Sequence, residues 1–155
     1  MSAIVIHTDG AATGNPGPGG YGAVLQSGKH YKELSGGFRL TTNNRMELLA
    51  VIVALEALKQ PGMDVTVVSD SKYVVDAVEK KWIANWIKKG WKNVKNPDLW
   101  QRYLRVAAQH RVKFKWVKGH AGHPLNERCD ELAVAASFGA GLPADSWYEA
   151  NREQP

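Results

Sequence analysis

Segments with strand character and segments with helix character follow one another in an order that few folds accommodate. Three strand-like segments joined by glycine-containing turns come first, at residues 3–8, 21–25 and 31–40. A long apolar helix, a Val-rich strand, two helices, a strand and a last helix follow, at residues 44–59, 65–69, 71–81, 99–110, 112–117 and 126–137. Hairpins pair strands antiparallel, whereas helical crossovers favour parallel pairing. We therefore expect an α/β fold with a five-stranded mixed sheet and helices on both faces.

The chain has the length and composition of one folded domain. Its 155 residues are 44% hydrophobic, which is enough for a single core. No segment approaches the roughly 20 apolar residues of a membrane span, and the N-terminal residues lack a signal-peptide pattern. The lone cysteine, Cys129, leaves no intrachain disulfide. We expect a cytoplasmic monomer with a domain over residues 1–138 and a loosely held polar tail over 139–155.

A net charge of +5 and a pI near 9.4 are compatible with a polyanionic partner. Residues 80–95 contain six lysines, no acidic residue and half of the tryptophans: Lys80, Lys81, Lys88, Lys89, Lys92, Lys95, Trp82, Trp86 and Trp91. Interleaved basic and aromatic side chains suit a surface that binds a phosphate backbone and packs on sugars. Alternatively, Trp82 and Trp86 pack inward while the lysines are merely solvated. We expect a mixture of the two.

Four carboxylates stand at positions where chemistry is expected. Asp9 and Asp70 each follow a predicted strand, and open α/β sheets place functional residues at strand ends. Glu47 lies on the first turn of the long helix, and Asp130 lies inside the last helix. Each has a simpler interpretation. Asp9 and Asp70 could be solvated loop residues or helix caps, and Glu47 could form a capping box with Asn44. Asp130 could belong to a solvated acidic helix face shared with Glu127 and Glu131.

Taken together, the four carboxylates could meet at one end of the sheet. Carboxylates packed closely repel one another and their pKa values rise unless a cation joins them. Mg²⁺ favours carboxylate oxygens and retains its own waters. Two such ions about 4 Å apart can activate a water and stabilise the leaving oxygen of a phosphoryl displacement.

Six segments carry a family resemblance, in order and with motif-like spacing: TDG at 8–10, GNPGPGGYG at 14–22, TTNNRMEL at 41–48, SDS at 69–71, VKGHAGH at 117–123 and NERCDELA at 126–133. Over about residues 4–136 the chain resembles bacterial type 1 ribonuclease H. The resemblance implies a ribonuclease H-like fold and endonucleolytic hydrolysis of the RNA strand of RNA/DNA hybrids, leaving 3′-hydroxyl and 5′-phosphate ends.

The resemblance also implies a cofactor and a set of site residues. Asp9 would bridge two Mg²⁺ ions, for which Mn²⁺ could substitute; Glu47 and Asp70 would complete one site and Asp130 the other. His120 would accept a proton from the attacking water or help the product leave. A basic protrusion at about residues 80–97 would hold the DNA strand. The implied substrate contacts are Asn15, Thr42, Asn43, Asn44, Lys72, Trp82, Trp86, Lys88, Lys89 and Trp91.

Within this set the resemblance separates the two strands of the hybrid. Asn15, Asn43 and Asn44 would contact the RNA strand and its 2′-hydroxyls, which distinguish RNA from DNA. Thr42 and Asn43 would seat a DNA phosphate. Helix capping is the alternative for Asn43 and Asn44, and an ordinary loop residue is the alternative for His120.

The chain departs from the family pattern at three places. Lys72 stands where glutamine is frequent, Ala12 replaces a frequent cysteine, and the segment between Trp91 and Trp100 is short. None of these changes a carboxylate. A zinc site built from His120, His123 and Cys129 has too few ligands, and the glycine-rich run lacks the ending of a nucleotide-binding loop.

Three rival functions remain at the level of sequence. The first is another nuclease or strand-transfer enzyme of the same fold, which would act on duplex DNA. The second is a non-catalytic module that binds hybrids without cleaving them. The third is a small-molecule phosphohydrolase, which would have no need of a basic and aromatic protrusion.

Overall fold

The computed structural model describes residues 3–119 and 122–152, and within these it contains one five-stranded sheet. The strands are β1 (Ile4–Ala12), β2 (Gly17–Ser27), β3 (His30–Thr41), β4 (Asp64–Ser69) and β5 (Arg111–Trp116). The helices are α1 (Asn43–Glu56), α2 (Lys72–Glu79), α3 (Trp82–Lys88), α4 (Pro97–Ala107), α5 (Pro124–Ser137) and α6 (Ser146–Asn151). None of these helices has both the length and the apolar character needed to cross a membrane.

The sheet is mixed, as the order of segments predicts. Its strand order is β3-β2-β1-β4-β5. The hairpin strands pair antiparallel, whereas β1 with β4 and β4 with β5 pair parallel. Consecutive residues of a strand face opposite sides of a sheet. Accordingly Gly10 on β1 meets α1, whereas Gly22 on β2 meets α5. The predicted α/β fold with helices on both faces is confirmed.

The first two strands are longer than the sequence pattern predicts. β1 continues through Asp9 to Ala12, which pairs with Gly19 on β2. The prediction that β1 stops at Asp9 was therefore wrong. The glycine-rich run at residues 14–20 favours a turn, but β2 already begins at Gly17. Glycines have low strand propensity, but here they are required by close packing. A Cβ on Gly22 would overlap the carbonyl oxygen of Cys129, so only glycine lets α5 lie this close to the sheet.

Helix α1 lies at the centre of the core and begins differently from the prediction. Thr42 is its N-cap, and the Thr42 hydroxyl accepts a hydrogen bond from the backbone N–H of Arg45 (3.2 Å). The capping box between Asn44 and Glu47 is wrong, because both residues lie inside the helix. Glu47 is thus not needed for capping, and its carboxylate is available for the site.

Arg45 is a buried cation whose partners come from distant parts of the chain. Its side chain is 1% exposed and forms salt bridges with Asp98 (2.8 Å) and Asp145 (2.7 Å). The Trp147 ring lies 5.1 Å from its guanidinium carbon. Asp98 directly precedes the helix predicted at residues 99–110, which makes it a candidate cap from the sequence. This prediction is wrong, because the N-cap residue of α4 is Asn96 and Asp98 lies in the first turn, where it binds Arg45.

The C-terminal segment is held against the body of the protein. Asp145 is buried and accepts a hydrogen bond from the Thr41 hydroxyl (2.7 Å). The Arg39 side chain pairs with Glu149 on α6 (2.7 Å). The expectation of a loosely held tail is therefore wrong for this part of residues 139–155. The polarity of this segment predicted solvent exposure, but Asp145 is the partner of the buried Thr41 and Arg45, and Glu149 pairs with the exposed Arg39.

Candidate active site

Three of the four predicted carboxylates converge in space. Asp9 on β1, Glu47 on the first turn of α1 and Asp70 directly after β4 each present an oxygen, and these oxygens lie within 4.8 Å of one another. Parallel pairing of Thr8 with Ser69 places Asp9 beside Asp70. A Cβ on Gly10 would overlap the backbone of α1 at Glu47, so this glycine lets the helix approach β1.

The cluster is electrostatically unfavourable without a cation. Burial raises the pKa of Asp9, and the charge of Asp70 raises it further. Burial likewise raises the pKa of Glu47, followed by the charge of Asp9. Glu47 Oε1 and Asp70 Oδ1 are buried and have no hydrogen-bond partner within residues 3–119 and 122–152. Hard carboxylate oxygens without partners are the ligands that Mg²⁺ and Mn²⁺ prefer, so the three side chains could hold a divalent ion.

Asp130 approaches the cluster from the other face of the sheet. It lies on α5, is half-buried, and its charge contributes to the raised pKa of Asp9. Among the residues that the structure describes, however, it does not join the group whose oxygens lie within 4.8 Å of one another. The structure therefore brings three of the four carboxylates together and leaves the fourth nearby.

The predicted role of His120 falls on a residue outside the described parts of the chain. The residues just before it do approach the site. The Val117 N–H donates to the Ser69 carbonyl (3.0 Å), and a Cβ on Gly119 would lie 2.9 Å from Asp70 Oδ2. The chain therefore reaches residue 119 in contact with the Asp70 carboxylate.

The predicted substrate contacts at the start of α1 form one rim of the site. The Asn15 side-chain oxygen accepts a hydrogen bond from the Asn43 N–H (3.0 Å), which ties the glycine-rich turn to the helix. Asn44 is exposed. A groove of about 720 Å³ runs between Asn15, Thr42 and Asn44 on one side and residues 93–96 and α6 on the other. Capping by Thr42 removes helix capping as the explanation for Asn43 and Asn44.

The basic protrusion shows the expected mixture of packed and solvated side chains. Trp86 packs against Trp91 and Trp100, with ring centroids 6.4 and 5.5 Å apart. Trp82 is 38% exposed. All six lysines of residues 80–95 are exposed. The protrusion is thus anchored to the core by Trp86 and presents a positive surface.

One residue beside the cluster escaped the sequence analysis. Trp116 ends β5, and its indole N–H donates to the Asp70 carbonyl (3.1 Å). The Lys72 ammonium lies 4.9 Å from the centre of the same ring. The signal available in the sequence was a tryptophan at the end of a predicted strand, immediately before the Val117–Gly119 motif residues.

Cys129 is unsuited to metal binding. Its thiol donates a hydrogen bond to the His7 carbonyl (3.1 Å). Burial, followed by the charge of Asp9, raises the pKa of this thiol to about 12. A protonated, hydrogen-bonded thiol is not a zinc ligand, which supports the rejection of a zinc site.

The buried carboxylates make a prediction about stability. Because the pKa of Asp9 is higher in the folded protein than in the unfolded chain, the folded state binds more protons between pH 4 and 7. Stability therefore falls as the pH rises through that window. We expect Asp9→Asn to raise the free energy of unfolding at pH 8 in a chelator by about 1–3 kcal/mol.

Urea denaturation of both proteins at pH 4 and pH 8 would measure this difference. The two free energies should be close at pH 4 and diverge at pH 8. Adding Mg²⁺ should stabilise the parent protein more than the variant, because a ligand stabilises the state that binds it. A variant that is less stable than the parent at pH 8 would contradict the expectation.

Comparison with known proteins places this geometry in a family. The sequence model of the RNase H family matches residues 1–138. The ribonuclease H of Rippkaea orientalis is 57% identical over 151 residues, covering 94% of this chain and 92% of that protein. That of Desulforamulus reducens is 57% identical over 150 residues, covering 94% of each.

Solved structures agree with the sequence matches. LC9-RNase H1, a type 1 RNase H with the type 2 active-site motif, has a TM-score of 0.80 at 30% identity, covering 99% of this chain and 82% of that one. LC11-RNase H1 in complex with an RNA/DNA hybrid has a TM-score of 0.64 at 30% identity, covering 86% and 95%. Ribonucleases H cleave the RNA strand of such hybrids. With a family match over most of its length and relatives 57% identical along nearly the whole chain, this protein belongs to the ribonuclease H family.

Proposed function

We propose that this chain hydrolyses the RNA strand of RNA/DNA hybrids internally, using Mg²⁺ held by the acidic cluster and leaving 3′-hydroxyl and 5′-phosphate ends. The observation that carries the proposal is the convergence of Asp9, Glu47 and Asp70 within 4.8 Å in a chain of the ribonuclease H family. The burial of Asp9 and Glu47, and the unpartnered oxygens of Glu47 and Asp70, favour a cation over three free carboxylates.

The residues fit two divalent ions. Asp9, Glu47 and Asp70 would hold them from β1, α1 and the end of β4, and Asp130 would complete the set from α5. When bound, such ions supply Lewis acidity to the phosphate and lower the pKa of a bound water. The charges of both Asp70 and Asp130 raise the pKa of Asp9. This supports a position of Asp9 between the other two aspartates, where it could contribute to both ion sites.

His120 is the proposed proton acceptor for the attacking water. The support from the described residues is that a Cβ on Gly119, the residue before His120, would lie 2.9 Å from Asp70 Oδ2. Histidine changes charge near neutral pH and can both take up and release a proton during the reaction.

The two strands of the hybrid would contact different surfaces. Asn15, Asn43 and Asn44 would read the RNA strand and its 2′-hydroxyls, and Thr42 would help to seat a DNA phosphate. The basic protrusion, with Trp82, Trp86, Trp91, Lys88 and Lys89, would hold the DNA backbone. The complex of LC11-RNase H1 with an RNA/DNA hybrid supports this class of partner for the fold.

We propose that the protein acts as a monomer in the cytoplasm. A single buried cysteine suits a reducing compartment. The exposed basic protrusion and the acidic cluster belong to one chain, so the proposed site needs no second copy.

A substrate comparison tests the proposed function. RNA/DNA hybrid, double-stranded RNA, single-stranded RNA and double-stranded DNA, each end-labelled, would be incubated with the protein in Mg²⁺ or in a chelator. We expect cleavage of the hybrid's RNA strand in Mg²⁺ and nothing in the chelator. Cleavage of duplex DNA would instead favour another nuclease of the same fold. Tight binding of the hybrid without cleavage would favour a binding module.

A further inference from the structure

Trp116 is a large aromatic residue at the edge of the acidic cluster, and its side chain has two contacts there. The indole N–H donates to the backbone carbonyl of Asp70 at 3.1 Å. The Lys72 ammonium lies 4.9 Å from the ring centre. The residue as a whole is 42% exposed, so part of it faces solvent beside the site. The Trp116 side chain therefore contacts both Asp70, a proposed metal ligand, and Lys72, a proposed substrate-binding residue.

The first contact acts on the backbone that carries the Asp70 carboxylate. β4 ends at Ser69, whose partner on β5 is Trp116, so Asp70 lies just beyond the paired residues. The Val117 N–H donates to the Ser69 carbonyl, and the Trp116 indole N–H donates to the next carbonyl along the chain. Asp70 Oδ1 has no hydrogen-bond partner in the described residues, so the Trp116 contact reaches this residue through the backbone that carries the carboxylate.

The second contact is between the Trp116 ring and the ammonium group at the end of the long Lys72 side chain. Lys72 is exposed and begins α2, two residues after Asp70. An ammonium over an indole face is attracted by the ring quadrupole. This attraction reduces the number of positions that the lysine side chain samples. The positive charge is therefore held at the rim of the cluster, where a phosphate next to the scissile bond would pass.

We infer that Trp116 is a positioning residue of this site: its N–H fixes the Asp70 backbone, and its ring holds Lys72 against a phosphate of the RNA strand. The inference rests on the proposed function, because it takes the RNA strand to pass the acidic cluster. It assigns two separable roles to one side chain. Trp116→Phe removes the N–H and keeps an aromatic face, whereas Trp116→Leu removes both.

The role of the ring is tested by hybrid binding in a chelator, where no cleavage occurs. Fluorescence anisotropy of a labelled RNA/DNA hybrid gives the dissociation constant. We expect Lys72→Met to raise it about fivefold through loss of one phosphate contact, and Trp116→Leu to raise it about threefold. In the Lys72→Met background, Trp116→Leu should change the dissociation constant little further, because both substitutions remove the same Lys72–Trp116 interaction.

Lys113→Met is the matched control for the lost charge. Lys113 is an exposed lysine on β5, three residues before Trp116. The dissociation constant of the hybrid for Lys113→Met should be closer to that of the parent protein than the constant for Lys72→Met. Equal weakening by the two lysine changes, or full additivity of Lys72→Met with Trp116→Leu, would overturn the role of the ring.

The role of the N–H is tested with metal alone. Calorimetric titration with Mn²⁺ in the absence of nucleic acid should show about three- to fivefold weaker binding for Trp116→Phe, the effect of one lost hydrogen bond. Hybrid binding in a chelator should stay near that of the parent protein, and kcat should fall more than KM changes. Unchanged Mn²⁺ binding in Trp116→Phe would overturn this role.

The outcomes separate the inference from the proposed function. If the parent protein cleaves no hybrid in Mg²⁺, the proposed function fails whatever the Trp116 variants do. If the parent cleaves the hybrid and the variants match it in Mn²⁺ affinity, hybrid affinity and kcat, the inference alone fails. Thermal unfolding of each variant checks the fold. Should Trp116→Leu unfold, Trp116→Met, which also lacks the ring, measures the same coupling with and without Lys72→Met.

Discussion

Asp9→Asn is expected to remove nearly all magnesium-dependent cleavage of an RNA/DNA hybrid, lowering kcat by about 10³-fold or more. Asp9 shares the cluster with Glu47 and Asp70, with oxygens within 4.8 Å of one another. A neutral amide keeps the shape but supplies a weaker ligand and one negative charge fewer. Single-turnover cleavage with saturating hybrid and a Mg²⁺ series would measure the loss.

Asp64→Asn provides the matched control. Asp64 lies at the start of β4, at the opposite end of the strand from Asp70, and pairs with Arg111 on the surface. Its replacement should leave cleavage close to that of the parent protein. Because Asp9→Asn is also expected to be the more stable protein at pH 8 without metal, misfolding would not explain its inactivity. Substantial cleavage by Asp9→Asn would remove the acidic cluster from the mechanism.

Arg45→Met is expected to destabilise the protein by about 3–5 kcal/mol, since it leaves the buried Asp145 and the half-buried Asp98 without their cation. The Arg45 side chain is 1% exposed and binds both Asp98 and Asp145. Proteins of this kind have only about 5–15 kcal/mol of net stability, so the loss would be a large fraction of it. Urea denaturation at pH 7 measures the difference.

An exposed ion pair serves as the comparison for this prediction. Arg39 pairs with Glu149 on α6, the helix for which Asp145 is the N-cap residue, but the Arg39 side chain is 63% exposed. Arg39→Met should therefore change the free energy of unfolding by less than about 1 kcal/mol. Equal changes in the free energy of unfolding for Arg45→Met and Arg39→Met would show that burial does not determine how much the Arg45 network stabilises the protein.

The Arg45 network also connects the C-terminal segment with the site. Arg45 follows the proposed substrate contacts Asn43 and Asn44 on the first turn of α1 and precedes Glu47 by two residues. Asp145 holds it from a point 100 residues later in the chain. A partial loss of this network should thus loosen the turn that carries Glu47 before the rest of the core unfolds.

The amino-acid sequence by itself determined the order of the five described strands, four of the six described helices, and the mixed pairing of the sheet. These properties depend on local periodicity and on connection lengths, which are readable along the chain. The short helices α3 and α6 were not predicted. Ser71, the first residue of the helix predicted at 71–81, is a candidate cap from the sequence. This prediction is confirmed, because the Ser71 hydroxyl accepts a hydrogen bond from the Val74 N–H at the start of α2. Asp70 was correctly placed directly after β4. The motif residues also indicated the ribonuclease H family, because six segments in register are far more specific than any single one.

The tertiary structure alone decided which polar groups meet. Asp9 lies inside β1 because the pairing of β1 with β2 continues past it to Ala12. Glycines occur in these paired strands because α1 and α5 pack too closely on them for a Cβ. Asp98 and Asp145 are partners of Arg45, and Trp116 holds Asp70 and Lys72, through contacts that no local pattern encodes. The physical reason is that burying a charge or an N–H is favourable only with a partner, and here most of those partners lie tens of residues away in the sequence.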